Sequence, residues 1–167
     1  EAKKNPNKIK NLKVSGKISG VDLQFMRDSM EILQAINLKE SEVVASWYHK
    51  VSINGGSSHE EWFEGEMPES SSERQKAVRD RYPDASIGWS NSGSSPANEI
   101  PFEAFENKSS LVHFVFPEYI TTIGNSAFSN TMLSGALIIP DDVESIGSGA
   151  FGGTFITSLQ LPSKLKS

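Results

Sequence analysis

The phrase IGNSAFSN at Ile123–Asn130 returns as IGSGAFGG at Ile146–Gly153, and a looser copy, IPFEAFEN, stands at Ile100–Asn107. The Ala-Phe pairs therefore fall at Ala104/Phe105, Ala127/Phe128 and Ala150/Phe151, 23 residues apart both times. A fixed period of this length constrains the chain strongly. Each unit is one coil of a stacked array and can bury its apolar face only against its neighbours.

The rest of each unit aligns on the same period. LVHFVFP sets Leu111, Phe114 and Phe116 in an L-x-x-L-x-L pattern, and ITSLQLP repeats it with Ile156, Leu159 and Leu161. In the unit between them Leu137 and Ile139 hold the pattern, but Leu133 sits one position early, which predicts a bulge or an extra loop residue. Proline closes each strand at Pro117, Pro140 and Pro162, where its missing N–H ends ladder pairing. Alternate strand residues would point inward and stack at a spacing of about 4.8 Å into apolar ladders. On the return side Ile123 and Ile146 are core candidates. Gly124 and Gly147 are expected to permit a tight bend, and each Ala-Phe pair to set a close backbone beside a ring that fills the interior.

These linked elements resemble the BspA-like leucine-rich repeat family, whose units read approximately L-x-x-I-x-[LI]-P…I-G-x-x-A-F. The resemblance covers Ile100–Pro162. It implies an α/β leucine-rich-repeat solenoid with one parallel strand per 23-residue coil, short turns or 3-10 segments on the return side, and a helical N-terminal cap. Two departures stand out. Many members carry cysteine where this chain has Asn107, Asn130 and Gly153, and Pro101 replaces the first glycine, which predicts an altered first corner.

Upstream, Leu33, Ile36 and Leu38 form another L-x-x-L-x-L strand, preceded by a short strand around Leu12 and Val14. A helix opened by Asp22 as N-cap follows that strand, with Leu23, Met26, Arg27 and Met30 on one face. Such a segment would cover the open end of the apolar column. From Leu33 to Leu111 is 78 residues, far more than one repeat, so residues 46–99 read as an insertion. It is polar, contains all three tryptophans, and is too long to lack structure of its own. Ser70 and Glu73 fit a capping box before ERQKAVRDRY, which predicts a short helix there. The organisation expected is a basic flexible tail over 1–8 and one leucine-rich-repeat domain over 9–167. Within that domain, 9–45 form the cap and first strand, 46–99 the insertion, and 100–167 the regular repeats, the last coil cut short.

The chemistry available is narrow. With 37% hydrophobic and 22% charged residues the chain is of soluble globular type, and a formal charge of −5 with a pI near 5.2 speaks against a broad nucleic-acid surface. Without cysteine it has no disulfide, thiolate metal site or thiol nucleophile. No apolar run nears the roughly 20 residues that span a bilayer, and EAKKNPNK lacks the apolar core of an export signal. HEEWF places Phe63 where the zinc-protease helix needs a second histidine, and His49, His59 and His113 have no short ligand spacing. There is no Gly-x-Ser-x-Gly elbow and no phosphate-binding loop, and Glu60/Glu61 and Asp141/Asp142 read as solvated charges. The expectation is a protein that is not an enzyme and uses no cofactor or metal.

Two surfaces are candidates for binding. The outward strand positions include Asn37, His113, Val115, Ile138 and Gln160, on a sheet that could hold a partner at little ordering cost. The insertion offers Trp62, Phe63 and Trp89, which could stack on sugar rings or anchor a protein, or else tie the insertion to the repeats. The family resemblance implies an adhesin-like module at the bacterial cell surface that binds extracellular or host proteins. A structural spacer and a glycan-binding or glycan-active protein are the alternatives. Self-association through an uncapped C-terminal coil is a further expectation.

Overall fold

The computed structural model of the chain describes residues 5–166. The first half of the basic tail, residues 1–4, lies outside that range, while Pro6–Lys8 make one 3-10 turn. The fold is mixed α/β with few helices. The N-terminal part is β1 (Asn11–Ile18), α1 (Gly20–Ser29) and β2 (Ala35–Val43). The insertion follows as β3 (Ser46–Ile53), β4 (His59–Glu64), α2 (Ser71–Arg81) and β5 (Ile87–Ser95). The repeats then supply β6 (Glu99–Ile100), β7 (His113–Val115), β8 (Thr122–Ile123), β9 (Ser134–Ile138), β10 (Ser145–Ile146) and β11 (Phe155–Gln160).

The 23-residue period is visible as stacked equivalents. The Phe105 and Phe128 rings stack at 5.4 Å and 16°, and Phe128 and Phe151 at 5.5 Å and 8°. Beside them Ile100, Ile123 and Ile146 line up through the parallel ladders of β6, β8 and β10. Backbone bonds repeat in step at the corner, with the Phe105 amide donating to Ala127 O at 2.7 Å and the Phe128 amide to Ala150 O at 2.7 Å. Ile100, Phe105, Ile123, Phe128 and the strand anchors Leu111, Phe114, Phe116, Leu133, Leu137 and Ile139 form one buried core, with Ile146, Phe151 and Ile156 partly buried against it. The anchors expected at Leu159 and Leu161 are instead exposed, because among the described residues no further coil stacks on β11.

The glycine after each isoleucine has a different cause from the one the sequence suggests. Neither Gly124 nor Gly147 takes a left-handed φ. A Cβ on Gly124 would meet Pro101 C at 2.7 Å, and one on Gly147 would meet Gly124 C at 2.7 Å. Glycine is required because adjacent repeats bring backbone against backbone there. The left-handed positions lie two residues further on, at Glu103, Ser126 and Gly149, and again at Asn107, Asn130 and Gly153. Asparagine tolerates that conformation better than most residues. The two asparagines also pair, Asn130 Nδ2 donating to Asn107 Oδ1 at 3.1 Å.

The N-terminal segment extends the same order. β1 pairs parallel with β2 and β2 parallel with β7, so Leu12, Ile36 and Phe114 stand side by side. Leu33, Ile36 and Leu38 are fully buried, as the pattern predicts. The helix cap is corrected: Ser19 is the N-cap, and Asp22 sits three residues on, where Oδ2 accepts the Ser19 amide at 3.0 Å. Leu23, Met26 and Met30 are buried, and Arg27 is no misfit on that face, because Nη1 donates to Glu103 O at 2.9 Å. From the repeats Lys108 donates to Arg27 O at 2.8 Å and Met30 O at 2.6 Å, which satisfies carbonyls at the end of α1. Burial lowers the Lys108 pKa, against the opposing pull of Asp28 and Glu31.

The stack predicts a ranking of two substitutions. Phe128 is fully buried between two rings, whereas Phe151 is only half-buried. Phe128→Ala should cost about 3–5 kcal/mol in urea unfolding and Phe151→Ala clearly less. Equal losses would contradict the stacked arrangement.

Candidate functional site

The outer face of the repeat strands is not one continuous sheet. β7 is the edge of the β1-β2-β7 sheet and β9 the edge of the β11-β9 sheet. Only the Ser134 amide, donating to Val112 O at 3.3 Å, bridges them among the described residues. That bridge joins residues 22 apart, whereas Phe114 and Leu137 are equivalent at 23. Gly135, at φ 79°, stands where the two registers meet. The irregularity expected from the early Leu133 is therefore present and opens the ladder.

A cleft of about 660 Å³ occupies this break. Phe114, Phe116, Leu137 and Ile139 contribute from the core side, and Val115, Ala136, Ile138 and Gln160 from the outward side. Val115 is 44% and Ile138 64% exposed, although both are aliphatic. Lys39, Glu118, Asp141 and Asp142 complete the lining. All three acids follow a strand-closing proline, so they gather at the C-terminal ends of the strands. Lys39 Nζ approaches Glu118 at 3.5 Å, and Lys164 pairs with Asp142.

Comparison with known families places this part of the chain. The family model for the BspA type leucine rich repeat region, described as six copies, matches residues 96–167. This stretch, which holds β6 to β11, is similar to that repeat region. No curated protein and no solved structure matches the chain.

Of the residues singled out on the sequence, Val115, Ile138 and Gln160 meet at the cleft. His113 is exposed but lies outside the cleft lining, as the Cα partner of Ala35. Asn37 is half-buried, and its Oδ1 accepts the Lys39 amide at 3.0 Å. The residues missed are Lys39, Glu118, Asp141 and Asp142. The signal for the three acids was the Pro-acid step after the strands, Pro117-Glu118 and Pro140-Asp141-Asp142; Lys39 carries no such mark.

The insertion's aromatics serve mainly to build its own fold. β4, β3 and β5 form an antiparallel sheet in that order, a structure the sequence reading left open. The predicted helix is α2, with Ser70 Oγ accepting the Glu73 amide at 3.2 Å. Trp62 cannot serve as an exposed platform: it is 5% exposed, and Gly20 at the start of α1 leaves room for its ring. Tyr48 and Phe102 pack around it, joining the insertion to the repeats. On the opposite face Phe63 stacks on Trp47 at 4.3 Å under Arg81, and Trp89 lies beside His49 with Arg79 at 5.1 Å. Both Phe63 and Trp89 are half-buried.

Glu61 fastens α2 to this sheet. It accepts from Tyr82 Oη at 2.9 Å, His59 Nε2 at 2.8 Å and Arg81 Nη1 at 2.9 Å. Burial alone would raise its pKa, but those hydrogen bonds and the Arg81 charge outweigh it and hold the carboxyl below its ordinary value of 4.5. Because the folded value is depressed, the stabilisation is fully present above the ordinary glutamate pKa. It is lost as pH falls through the folded one. The stability gap between the native chain and Glu61→Gln should therefore be largest near neutral pH and close on acidification. Urea titrations across the acid range read this directly, and a gap independent of pH would contradict it.

Proposed function

We propose that the chain is a non-enzymatic protein-binding module of a bacterial cell surface, built as a short solenoid whose strand cleft holds an extracellular or host protein. The observation that carries this reading is the exposure of Val115 and Ile138 in a formed cleft, while their inward neighbours Phe114, Phe116, Leu137 and Ile139 stay buried. A module that only spaced other domains would gain nothing from aliphatic side chains held out to water at the equivalent position of consecutive units. The BspA-type repeats support surface association and protein interaction. The glycan alternative loses its main support, since Trp62 is withdrawn and Phe63 and Trp89 are engaged with Trp47, Arg81, His49 and Arg79.

The test is surface binding to a panel of purified matrix and plasma proteins. Val115→Arg and Ile138→Arg should each weaken binding by about ten-fold or more while leaving the circular dichroism spectrum and urea midpoint unchanged. Phe63→Ala should leave binding as it was. Binding that ignores Ile138→Arg and follows Phe63→Ala would move the site to the insertion.

A further inference from the structure

Both walls of the cleft are unused strand edges. β7 satisfies one side through β2, pairing His113–Val115 with Ala35–Asn37, and β9 satisfies one side through β11, pairing Ala136–Ile138 with Ser158–Gln160. The sides that remain face the cleft, tied only by the Ser134–Val112 bond at its closed end. The Ile139 amide donates to Gln160 O at 3.1 Å on the β11 side, and the His113 amide to Gln34 O at 3.0 Å on the β2 side. By alternation the backbone groups turned to the cleft are those of Ala136 and Ile138 on β9 and of Phe114 and Phe116 on β7. An extended chain supplies donors and acceptors for them at the matching spacing.

We propose that the cleft takes up an extended peptide segment of its partner as an added parallel strand along the free edge of β9, with apolar side chains toward the core and a lysine or arginine at its C-terminal end. This deepens the protein-binding reading and rests on it. The direction follows from charge. Glu118, Asp141 and Asp142 all lie at the C-terminal ends of the strands; Lys39 and Lys164 engage Glu118 and Asp142, which leaves the Asp141 carboxylate to receive an incoming cation. An added strand running parallel to β9 brings its own last residue to that acidic rim, whereas an antiparallel one would bring its first. The apolar requirement follows from the cleft floor of Phe114, Phe116, Leu137 and Ile139. Main-chain bonds would provide affinity and the side-chain contacts selectivity, as in other strand additions.

The experiment uses the full chain and an acetylated, amidated octapeptide that alternates valine and threonine and ends in arginine. Its controls are the same peptide N-methylated at alternate residues in either of the two registers, a version with the arginine at its N-terminal end, and a version ending in glutamate. Binding is read by calorimetry and by amide exchange at residues 136–138. The expected result is measurable binding with slowed exchange at those amides, weakened about ten-fold or more by N-methylation of the set of amides that faces β9. Asp141→Lys should weaken the arginine peptide and favour the glutamate one. Equal binding of both N-methylated registers and the parent overturns strand addition, and a preference for arginine at the N-terminal end overturns the parallel direction. Failure of every peptide, while intact partner proteins still bind in a way that Ile138→Arg abolishes, overturns this inference and leaves the protein-binding reading standing. Failure of both overturns the two together.

Discussion

Phe128 has a parallel ring on either side, Phe105 at 5.4 Å and Phe151 at 5.5 Å, and Phe114 and Phe116 meet it edge-on. No unit could bury such a ring alone, because its faces are covered by the equivalent residues before and after it. The contact therefore sets the offset between units. Once Phe128 is seated, the Ile100–Ile123–Ile146 ladders, the corner hydrogen bonds and the backbone approach at Gly124 and Gly147 follow at the same 23-residue step. Helix α1 obeys it as well, since Arg27 and Lys108 attach it to carbonyls and side chains of the first complete unit.

That register also explains how 78 residues can separate two adjacent strand anchors, Leu33 and Leu111. The cost of closing a loop grows only slowly with its length, provided the ends meet where the fold needs them. Here the chain leaves β2 at Val43 and returns at Asn98, whose amide donates to Val43 O at 2.9 Å. The insertion is pinched at its base, and the neighbouring strands β2 and β7 pair as though nothing stood between them. Above the pinch it buries Trp47, Val51 and Val78, while Trp62 is covered at the junction with α1 and Phe102.

The legible parts of the fold were those in which one side-chain class repeats at one position. Ile-x₃-Ala-Phe and the strand anchors before β11 have that character, and the Ser70 cap was legible from its local Ser-x-x-Glu spacing alone. The insertion's sheet was harder to read because both of its faces are covered. Buried Ser46 and His49 alternate with buried Trp47 and half-buried Tyr48, while Trp62 and Phe63 are adjacent rings that serve opposite faces. No clean polar-apolar alternation survives in that setting. The same limit affected single residues. Ser19 and Asp22 are both good cap residues, and only the hydrogen bonds distinguish their roles. In the cleft, Val115, Ile138 and Gln160 could be found by alternation along a strand, but Lys39, Glu118 and Asp141 come together only through stacking.

The break between β7 and β9 shows how a repeat array can acquire a site without losing its core. The irregularity at Gly135 lies in the backbone of a strand whose inward residues stay covered, with Leu133 and Ile139 each 1% exposed and Leu137 7%. A shift of one residue in a strand normally turns its apolar side chains to the opposite face. Here the left-handed glycine absorbs the shift within the strand, so the anchors after it return to the positions occupied by Phe114 and Phe116. The mismatch is thus confined to ladder hydrogen bonds on the outer layer, where water or an added chain can satisfy them. A cleft formed in this way lies directly over the aromatic stack, with Phe114 and Phe116 both lining it and packing edge-on against Phe128, so one register sets the core and the cleft walls together.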